Sequence, residues 1–163
     1  MENKVVGREE LAARLARLRS DGKRVVFTNG CFDLLHSGHV RYLREAASLG
    51  DLLVVGLNSD ASVRQFKDVG RPVVPEGDRA EVMAALEMVD YVVVFPETTA
   101  EAIVGELRPD VYVKGGDYTP EGLPEARVVE GYGGEVRLVP YHEDRSTTGI
   151  IQRILDAYCP EHD

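Results

Sequence analysis

The segment RVVFTNGCFDLLHSGHVRYL, residues 24–43, decides the fold of this chain. It opens with an apolar, β-branched run that stops at Asn29-Gly30, a dipeptide typical of turns. In the second half of the segment, apolar residues begin to recur at helical intervals. Two histidines, His36 and His39, stand between these patterns on either side of a Ser-Gly pair. The segment therefore predicts a buried strand that passes directly into a helix, with two imidazole groups at the junction.

Strand and helix patterns alternate along the rest of the chain. Ser59-Asp60 predicts the cap of a short helix, and a long loop is expected over residues 67–78. Thr98 or Thr99 is expected to open the helix that Pro109 stops. The buried-strand patterns cover residues 24–29, 51–58, 90–95, 110–117 and 135–140. The helical patterns cover residues 8–19, 40–50, 60–66, 79–89, 98–108, 124–134 and 146–158.

Five buried strands that alternate with helices are typical of a parallel sheet covered on both sides. We therefore predict an α/β fold, a Rossmann-like doubly wound parallel five-stranded sheet with helices on both faces. One domain is expected over residues 23–158, preceded by an N-terminal helical extension over residues 1–22.

The composition narrows the class of protein further. The 163 residues suit one domain, and 44% hydrophobic with 29% charged residues is ordinary for a soluble globular chain. The amphipathic, charged N-terminus predicts no signal peptide, and no apolar run predicts a membrane span. Cys31 and Cys159 are too few and too far apart for a disulfide framework, so a reducing cytoplasm is the expected compartment. A formal charge of −9 argues against a general nucleic-acid binder.

Polar and glycine-rich segments follow the ends of four of the five predicted strands. They are Asn29-Gly30, Asn58, residues 114–117 and residues 142–148. Open α/β sheets bind their ligands beyond the carboxyl ends of the strands, so these segments predict a ligand site at one rim. Ordinary turn preferences account for the glycines and asparagines but not for Lys114 or for the two histidines.

The sequence His36-Ser37-Gly38-His39 is suited to holding a phosphate group. Gly38 lacks a Cβ where chain and ligand approach closely, and the N-terminus of the following helix favours an anion. Both imidazoles can donate hydrogen bonds to one anion. Two alternatives stay open at this point, a metal-binding histidine pair and histidines that only cap or pack against the helix.

Several segments carry a resemblance to a known family. TNGCFDLLHSGH, residues 28–39, resembles the His-x-Gly-His signature of the nucleotidylyltransferase superfamily, and Ser146-Thr147-Thr148 resembles its second signature. Over residues 23–154 the chain is similar to the heptose 1-phosphate adenylyltransferases. The segments that carry this similarity are GRPVVPEGDRAEVMAALEMVDYVVVF (70–95), LRPDVYVKGGDY (107–118) and STTGIIQRI (146–154).

The resemblance implies an enzyme that transfers AMP from ATP to a sugar 1-phosphate, giving ADP-heptose, a lipopolysaccharide precursor, and pyrophosphate. By resemblance, His36, His39 and Lys114 are the catalytic residues, and Lys67 and Lys114 contact the substrate phosphate. Mg²⁺ is expected to arrive with ATP rather than in a dedicated protein site. The nucleotide-binding residues implied are Gly30, Cys31, Phe32, His36, His39, Asp117, Ser146 and Thr147.

Plainer interpretations of these residues remain open. Cys31 is equally well explained as a buried structural cysteine, Lys67 as a surface charge and Asp117 as a turn residue. Ser146 has the features of a helix N-cap, a role compatible with phosphate binding.

The chain departs from the family pattern at two points. Lys67 is followed by aspartate where the family usually has glycine, and Glu143, Asp144 and Arg145 precede Ser146 where a glycine is usual. Alternative hypotheses are a glycerol 3-phosphate cytidylyltransferase, an FMN adenylyltransferase and a nucleotide-sensing protein without turnover. The resemblance also leaves a homodimer open.

Overall fold

The structure is a computed structural model that describes residues 3–116, 119–140 and 146–161. The strands are β1 (Val25–Gly30), β2 (Leu52–Asn58), β3 (Tyr91–Phe95), β4 (Val111–Gly115) and β5 (Glu135–Val139). The α-helices are α1 (Arg8–Ser20), α2 (Ser37–Ala47), α3 (Asp60–Phe66), α4 (Glu76–Ala84), α5 (Glu101–Leu107), α6 (Pro124–Gly131) and α7 (Thr147–Tyr158), with a 3₁₀ turn at Pro120–Gly122.

The strands form a single parallel sheet in the order β3-β2-β1-β4-β5. β1 lies at the centre, where Val26 pairs with Leu53 of β2 on one side and with Val111 of β4 on the other. The chain order reverses between β1 and β4, and such switch points open a crevice at the carboxyl ends of the strands. The predicted doubly wound five-stranded sheet is therefore confirmed.

Helices cover both faces of this sheet. On one face, Leu43 and Ala46 of α2 and Met83 of α4 pack with side chains of β1, β2 and β4. On the other face, α1, α5 and α6 pack against Phe27 and Tyr112. Most residues of β1–β4 are almost fully buried because both faces are covered, as their continuous apolar runs predicted, whereas the edge strand β5 is partly exposed.

The N-terminal helix α1 is part of the packed core. Leu11 and Leu15 are fully buried, and they belong to the same apolar cluster as Ile103 and Leu107 of α5. Among the described residues, no helix combines the length and the apolar character needed to cross a membrane.

Both boundaries of helix α4 differ from the sequence prediction. Helix α4 begins at Glu76 rather than at residue 79, since Glu76 and Asp78 in its first turn favour the positive end of the helix. It ends at Ala84, and turns continue the chain to Val89.

The expectation that Thr98 or Thr99 opens α5 is wrong. The N-cap is Ala100, whose side chain cannot cap, and its main-chain N–H instead donates to Glu125 Oε1 of α6 at 3.0 Å. A residue distant in sequence has replaced the local cap, which local patterns cannot reveal.

Candidate active site

A cavity of about 710 Å³ lies at the carboxyl ends of the strands, next to the switch point between β1 and β4. It gathers every predicted site residue that falls in the described part of the chain, namely Gly30, Cys31, Phe32, His36, His39, Lys67, Lys114, Ser146 and Thr147. Asp117 and residues 143–145 lie outside the described residues. The cavity is therefore the candidate active site.

The loop between β1 and α2 has an unusual backbone. Phe32 and Leu34 have φ angles of 47° and 45°, a left-handed conformation that costs a side-chain-bearing residue about 1–2 kcal/mol. The buried Phe32 ring packs tilted against the imidazole of His39, with 5.5 Å between ring centroids. It also lies so close to Gly30 that a Cβ there would be 3.1 Å from the ring. This packing compensates the strain and fixes the loop around the cavity.

The two histidines form a reciprocal cap on the N-terminus of α2. Nδ1 of His36 accepts a hydrogen bond from the N–H of Gly38 at 3.1 Å, and Nδ1 of His39 accepts from the N–H of His36 at 3.3 Å. Their rings are 3.9 Å apart between centroids. Because each Nδ1 is an acceptor, the proton of each neutral ring is on Nε2. Capping thus orients both rings and makes Nε2–H the donor with which each ring can bind a ligand.

Burial keeps the ring of His39 neutral. Desolvation, followed by the neighbouring ring of His36, lowers the pKa of His39 from 6.5 to about 4. Near pH 7 His39 is therefore a neutral hydrogen-bond donor rather than a fixed positive charge.

The start of α7 is joined to the β1–α2 loop. The N-cap Ser146 accepts from the N–H of Gly149 at 2.9 Å, as the N-cap interpretation predicted. Thr147 donates its hydroxyl hydrogen to the main-chain oxygen of Asp33 at 2.6 Å. Because that hydrogen is committed, Thr147 has its main-chain N–H, at the N-terminus of α7, to offer an anion.

The two predicted lysines approach the cavity from different elements. Lys114 is half-buried near the end of β4, and Lys67 follows the last residue of α3. Cys31 also lines the cavity, and burial raises the pKa of its thiol. A raised thiol pKa disfavours the thiolate, so this cysteine is unsuited to nucleophilic chemistry.

Arg79, which the sequence patterns did not identify as a site residue, organises one wall of the site. Arg79 is 2% exposed. Its guanidinium donates to the main-chain oxygens of Cys31 at 2.6 Å, Asn58 at 3.0 Å and Val74 at 2.8 Å, and to the carboxylate of Asp60 at 2.7 Å. These contacts join the ends of β1 and β2 to the start of α3 and to the loop before α4. The available signal was an arginine on the apolar face of α4, one helical turn before Met83.

Asp33 was missed as well, although it lies inside the family signature. Burial alone would raise the pKa of its carboxyl, but hydrogen bonds from the N–H groups of Val73 and Val74 and from Arg71 hold that pKa below its usual range. The carboxylate therefore stays charged and fastens the loop before α4 to the β1–α2 loop.

The described residues contain no group of three or more His, Cys, Asp or Glu side chains placed to hold a metal ion. In the described part of the chain, Asp33 and Glu125 are the carboxylates that line the cavity; Asp33 accepts the N–H groups of Val73 and Val74, and Glu125 accepts that of Ala100.

The fold and the cavity together define an α/β protein of the nucleotidyltransferase type. Residues 27–153 match the family model described as cytidylyltransferase-like. The chain belongs to the cytidylyltransferase-like family.

Relatives within this family are similar over nearly the whole chain. This chain is 56% identical over 158 residues to the Bifunctional protein HldE of Geobacter sulfurreducens, and the match covers 97% of this chain and 32% of that protein. It is 52% identical over 157 residues to the Bifunctional protein HldE of Pelobacter propionicus, covering 96% of this chain and 32% of that protein. The chain thus spans about a third of the length of these relatives.

Solved structures share the fold. The lipopolysaccharide core biosynthesis protein from Thermoplasma volcanium is 31% identical with a TM-score of 0.61, and the match covers 74% of this chain and 97% of that one. The pantoate-beta-alanine ligase from Francisella tularensis, in complex with a nucleotide and beta-alanine, has a TM-score of 0.59 at 11% identity. This match covers 99% of this chain and 81% of the ligase. At such low identity, the likeness shows a shared fold alone.

Proposed function

We propose that this chain is an adenylyltransferase that transfers AMP from ATP to D-glycero-β-D-manno-heptose 1-phosphate, releasing pyrophosphate and ADP-heptose. The observation that carries the proposal is the His36–His39 pair, whose Nδ1 atoms are both tied to the start of α2 at the cavity. The names of the relatives support this acceptor, since the match from Thermoplasma volcanium is a lipopolysaccharide core biosynthesis protein.

In the proposed reaction, a phosphate oxygen of the sugar 1-phosphate attacks the α-phosphorus of ATP in line. A new P–O bond forms as the bond to the β-phosphate oxygen breaks, and pyrophosphate leaves with the electron pair. Positioning and charge stabilisation supply most of the rate in such a reaction. Nε2–H donors of His36 and His39 stabilise the negative charge that develops on the α-phosphoryl oxygens.

The remaining phosphates have separate partners in this proposal. The main-chain N–H groups at the start of α7, beside Ser146, hold the β- and γ-phosphates. Lys114 and Lys67 neutralise the phosphate of the acceptor and the departing pyrophosphate. Asp117, which lies outside the described residues, is assigned to the nucleotide by the family resemblance alone.

Mg²⁺ is proposed as the cofactor, delivered on the phosphates of ATP. When bound there, it would neutralise charge on the triphosphate as the pyrophosphate leaves. Asp33 keeps the surrounding loops in place instead of serving as a metal ligand, because both of its oxygens accept main-chain N–H groups.

Pyrophosphate release tests the proposal. The assay pairs ATP or CTP, in the presence of Mg²⁺, with heptose 1-phosphate, glycerol 3-phosphate or FMN. We expect turnover only with ATP and heptose 1-phosphate, and a loss of about 10²–10³ in rate in His36→Ala. Arg41→Ala is the control, since Arg41 lies exposed on the same helix outside the cavity.

Each other outcome identifies a different alternative. Turnover with CTP and glycerol 3-phosphate, or with ATP and FMN, would overturn the acceptor but keep the mechanism. ATP binding without turnover of any pair would favour a nucleotide-sensing protein.

A further inference from the structure

Glu125 is a buried carboxylate on the wall of the cavity. It is 5% exposed and lies in the first turn of α6. Its Oε1 accepts the N–H of Ala100 at 3.0 Å. Its second oxygen, Oε2, has no hydrogen-bond partner among the described residues, and it is not sealed from solvent. The carboxylate is therefore held by one oxygen, while the other is open to the cavity and can accept a hydrogen bond from a ligand.

The surroundings of Glu125 are suited to hydroxyl groups rather than to phosphate. Thr98, which follows β3, and Asn58, the last residue of β2, line the same cavity. The amide nitrogen of Asn58 is already committed, since it donates to Ser62 Oγ at 2.9 Å and to the main-chain oxygen of Glu97 at 3.3 Å. The group therefore offers oxygen acceptors and a threonine hydroxyl, together with a carboxylate that repels phosphate. Acceptors of this kind pair with the O–H groups of a polyol.

The two ends of the cavity belong to opposite faces of the sheet. His36 and His39 begin α2, which packs on one face, whereas Glu125 lies on α6 and is bonded to the start of α5, which pack on the other. An in-line displacement places the incoming and leaving groups on opposite sides of the phosphorus. With the α-phosphate at the start of α2 and the departing β- and γ-phosphates at the start of α7, the incoming acceptor lies toward α5 and α6.

We infer that Glu125 binds hydroxyl groups of the acceptor and so selects a polyol phosphate. This inference rests on the proposed function, because it takes the attacking molecule to be a hydroxylated phosphate ester. Oε1 keeps the carboxylate in place through Ala100, and Oε2 accepts from one or two hydroxyls of the sugar. Glu125 is thus a substrate-binding residue, whereas Lys67, Lys114 and the two histidines contact the phosphates.

The test is Glu125→Gln, which retains an oxygen for the N–H of Ala100 but removes the charge. We expect the KM for heptose 1-phosphate to rise about tenfold to a hundredfold, as for a lost hydrogen bond to a charged group. The KM for ATP and the melting temperature should stay within error of the wild type. Glu130→Gln is the matched control, because Glu130 is exposed on the same helix.

Other results would overturn the inference. An unchanged acceptor KM would leave Glu125 a purely structural cap, a role that Glu125→Ala would reveal through a lower melting temperature alone. A raised KM for ATP with an unchanged acceptor KM would assign the carboxylate to the ribose of the nucleotide.

The inference and the proposed function fail separately. If the wild type uses glycerol 3-phosphate instead of heptose 1-phosphate, the proposed function fails, and a raised glycerol 3-phosphate KM in Glu125→Gln still supports the inference. If no acceptor is turned over, the affinity for heptose 1-phosphate, measured by calorimetry with α,β-methylene-ATP present, tests the inference instead. Weaker binding by Glu125→Gln than by the wild type supports the inference, and equal or absent binding overturns it.

Discussion

The hydroxyl of Thr147 donates a 2.6 Å hydrogen bond to the main-chain oxygen of Asp33, 114 residues earlier in the chain. The same hydroxyl lies 3.3 Å from the main-chain oxygen of Leu34. Asp33 and Leu34 belong to the first signature segment and Thr147 to the second. The two segments are therefore parts of one hydrogen-bonded unit.

Thr147→Val tests this connection, since valine keeps the shape and removes the donor. We expect a loss of about 1 kcal/mol in the free energy of unfolding, and a fall in kcat of about tenfold because the start of α7 shifts. Unfolding in urea and steady-state kinetics measure the two effects. Thr99→Val is the control, because Thr99 is exposed and its hydroxyl donates to Glu101 Oε1 two residues further along the chain. An unchanged kcat in Thr147→Val would show that the bond is not needed for catalysis.

The lowered pKa of His39 predicts a pH dependence of stability. The ring titrates at about 4 in the folded protein and near 6.5 in the unfolded chain. Between pH 4 and pH 6.5 the imidazole of residue 39 is protonated in the unfolded chain but not in the folded protein. The free energy of unfolding that this group contributes above pH 6.5 is therefore lost as the pH falls toward 4. His39→Gln should lose less unfolding free energy between pH 7 and pH 5 than the wild type. Urea unfolding at both pH values measures this, and equal losses would contradict the prediction.

Arg79→Met removes the guanidinium that joins the ends of β1 and β2. Its main-chain acceptors at Cys31, Asn58 and Val74 lose their donor, and Asp60 loses its ion-pair partner. We expect a loss of roughly 2–4 kcal/mol in the free energy of unfolding. Chemical denaturation of Arg79→Met and of Arg64→Met, a change at an exposed residue of α3, measures the difference. A loss below about 1 kcal/mol in Arg79→Met would show that water replaces the guanidinium.

Gly56 in β2 is required by close packing between two aromatic rings. A Cβ at this position would lie 2.5 Å from Phe27 Cζ and 3.2 Å from Phe95 Cε1. Gly56→Ala should therefore cost about 1–3 kcal/mol in the free energy of unfolding. Gly77→Ala is the matched control, since nothing lies within 4 Å of a Cβ there and alanine favours the helix α4. Equal melting temperatures for the two variants would contradict this account.

The features that could be predicted from the sequence are those with a local cause. The apolar run of β1, the His36–His39 junction and the Ser146 cap each depend on neighbours within a few residues, and periodicity or capping preference reveals them. Because parallel sheets bind ligands beyond the carboxyl ends of their strands, these segments can be placed together at one edge before any contact is known. Lys114 was found because a lysine at the end of a buried strand is unusual.

The features that escaped prediction have partners far away in the chain. Glu125 caps α5 from another helix, Arg79 bonds to carbonyl groups on three separate segments, and Asp33 holds a loop some 40 residues further on. Each would look like an ordinary surface charge in a local window. Their burial becomes visible only when the sheet has placed the partners side by side.

Residues 4–6 lie beside β3, where Val5 forms a parallel bridge with Val92. The N–H of Val92 donates to the main-chain oxygen of Lys4 at 2.9 Å, and its carbonyl accepts from Val6 at 3.0 Å. An apolar edge strand without such cover is a template for pairing between molecules. The opposite edge, β5, carries the exposed charges of Arg137 and Glu135 instead. A chain that lacks residues 4–6 should thus keep its cavity but aggregate through β3. This short segment therefore protects the edge of the sheet from pairing with other molecules.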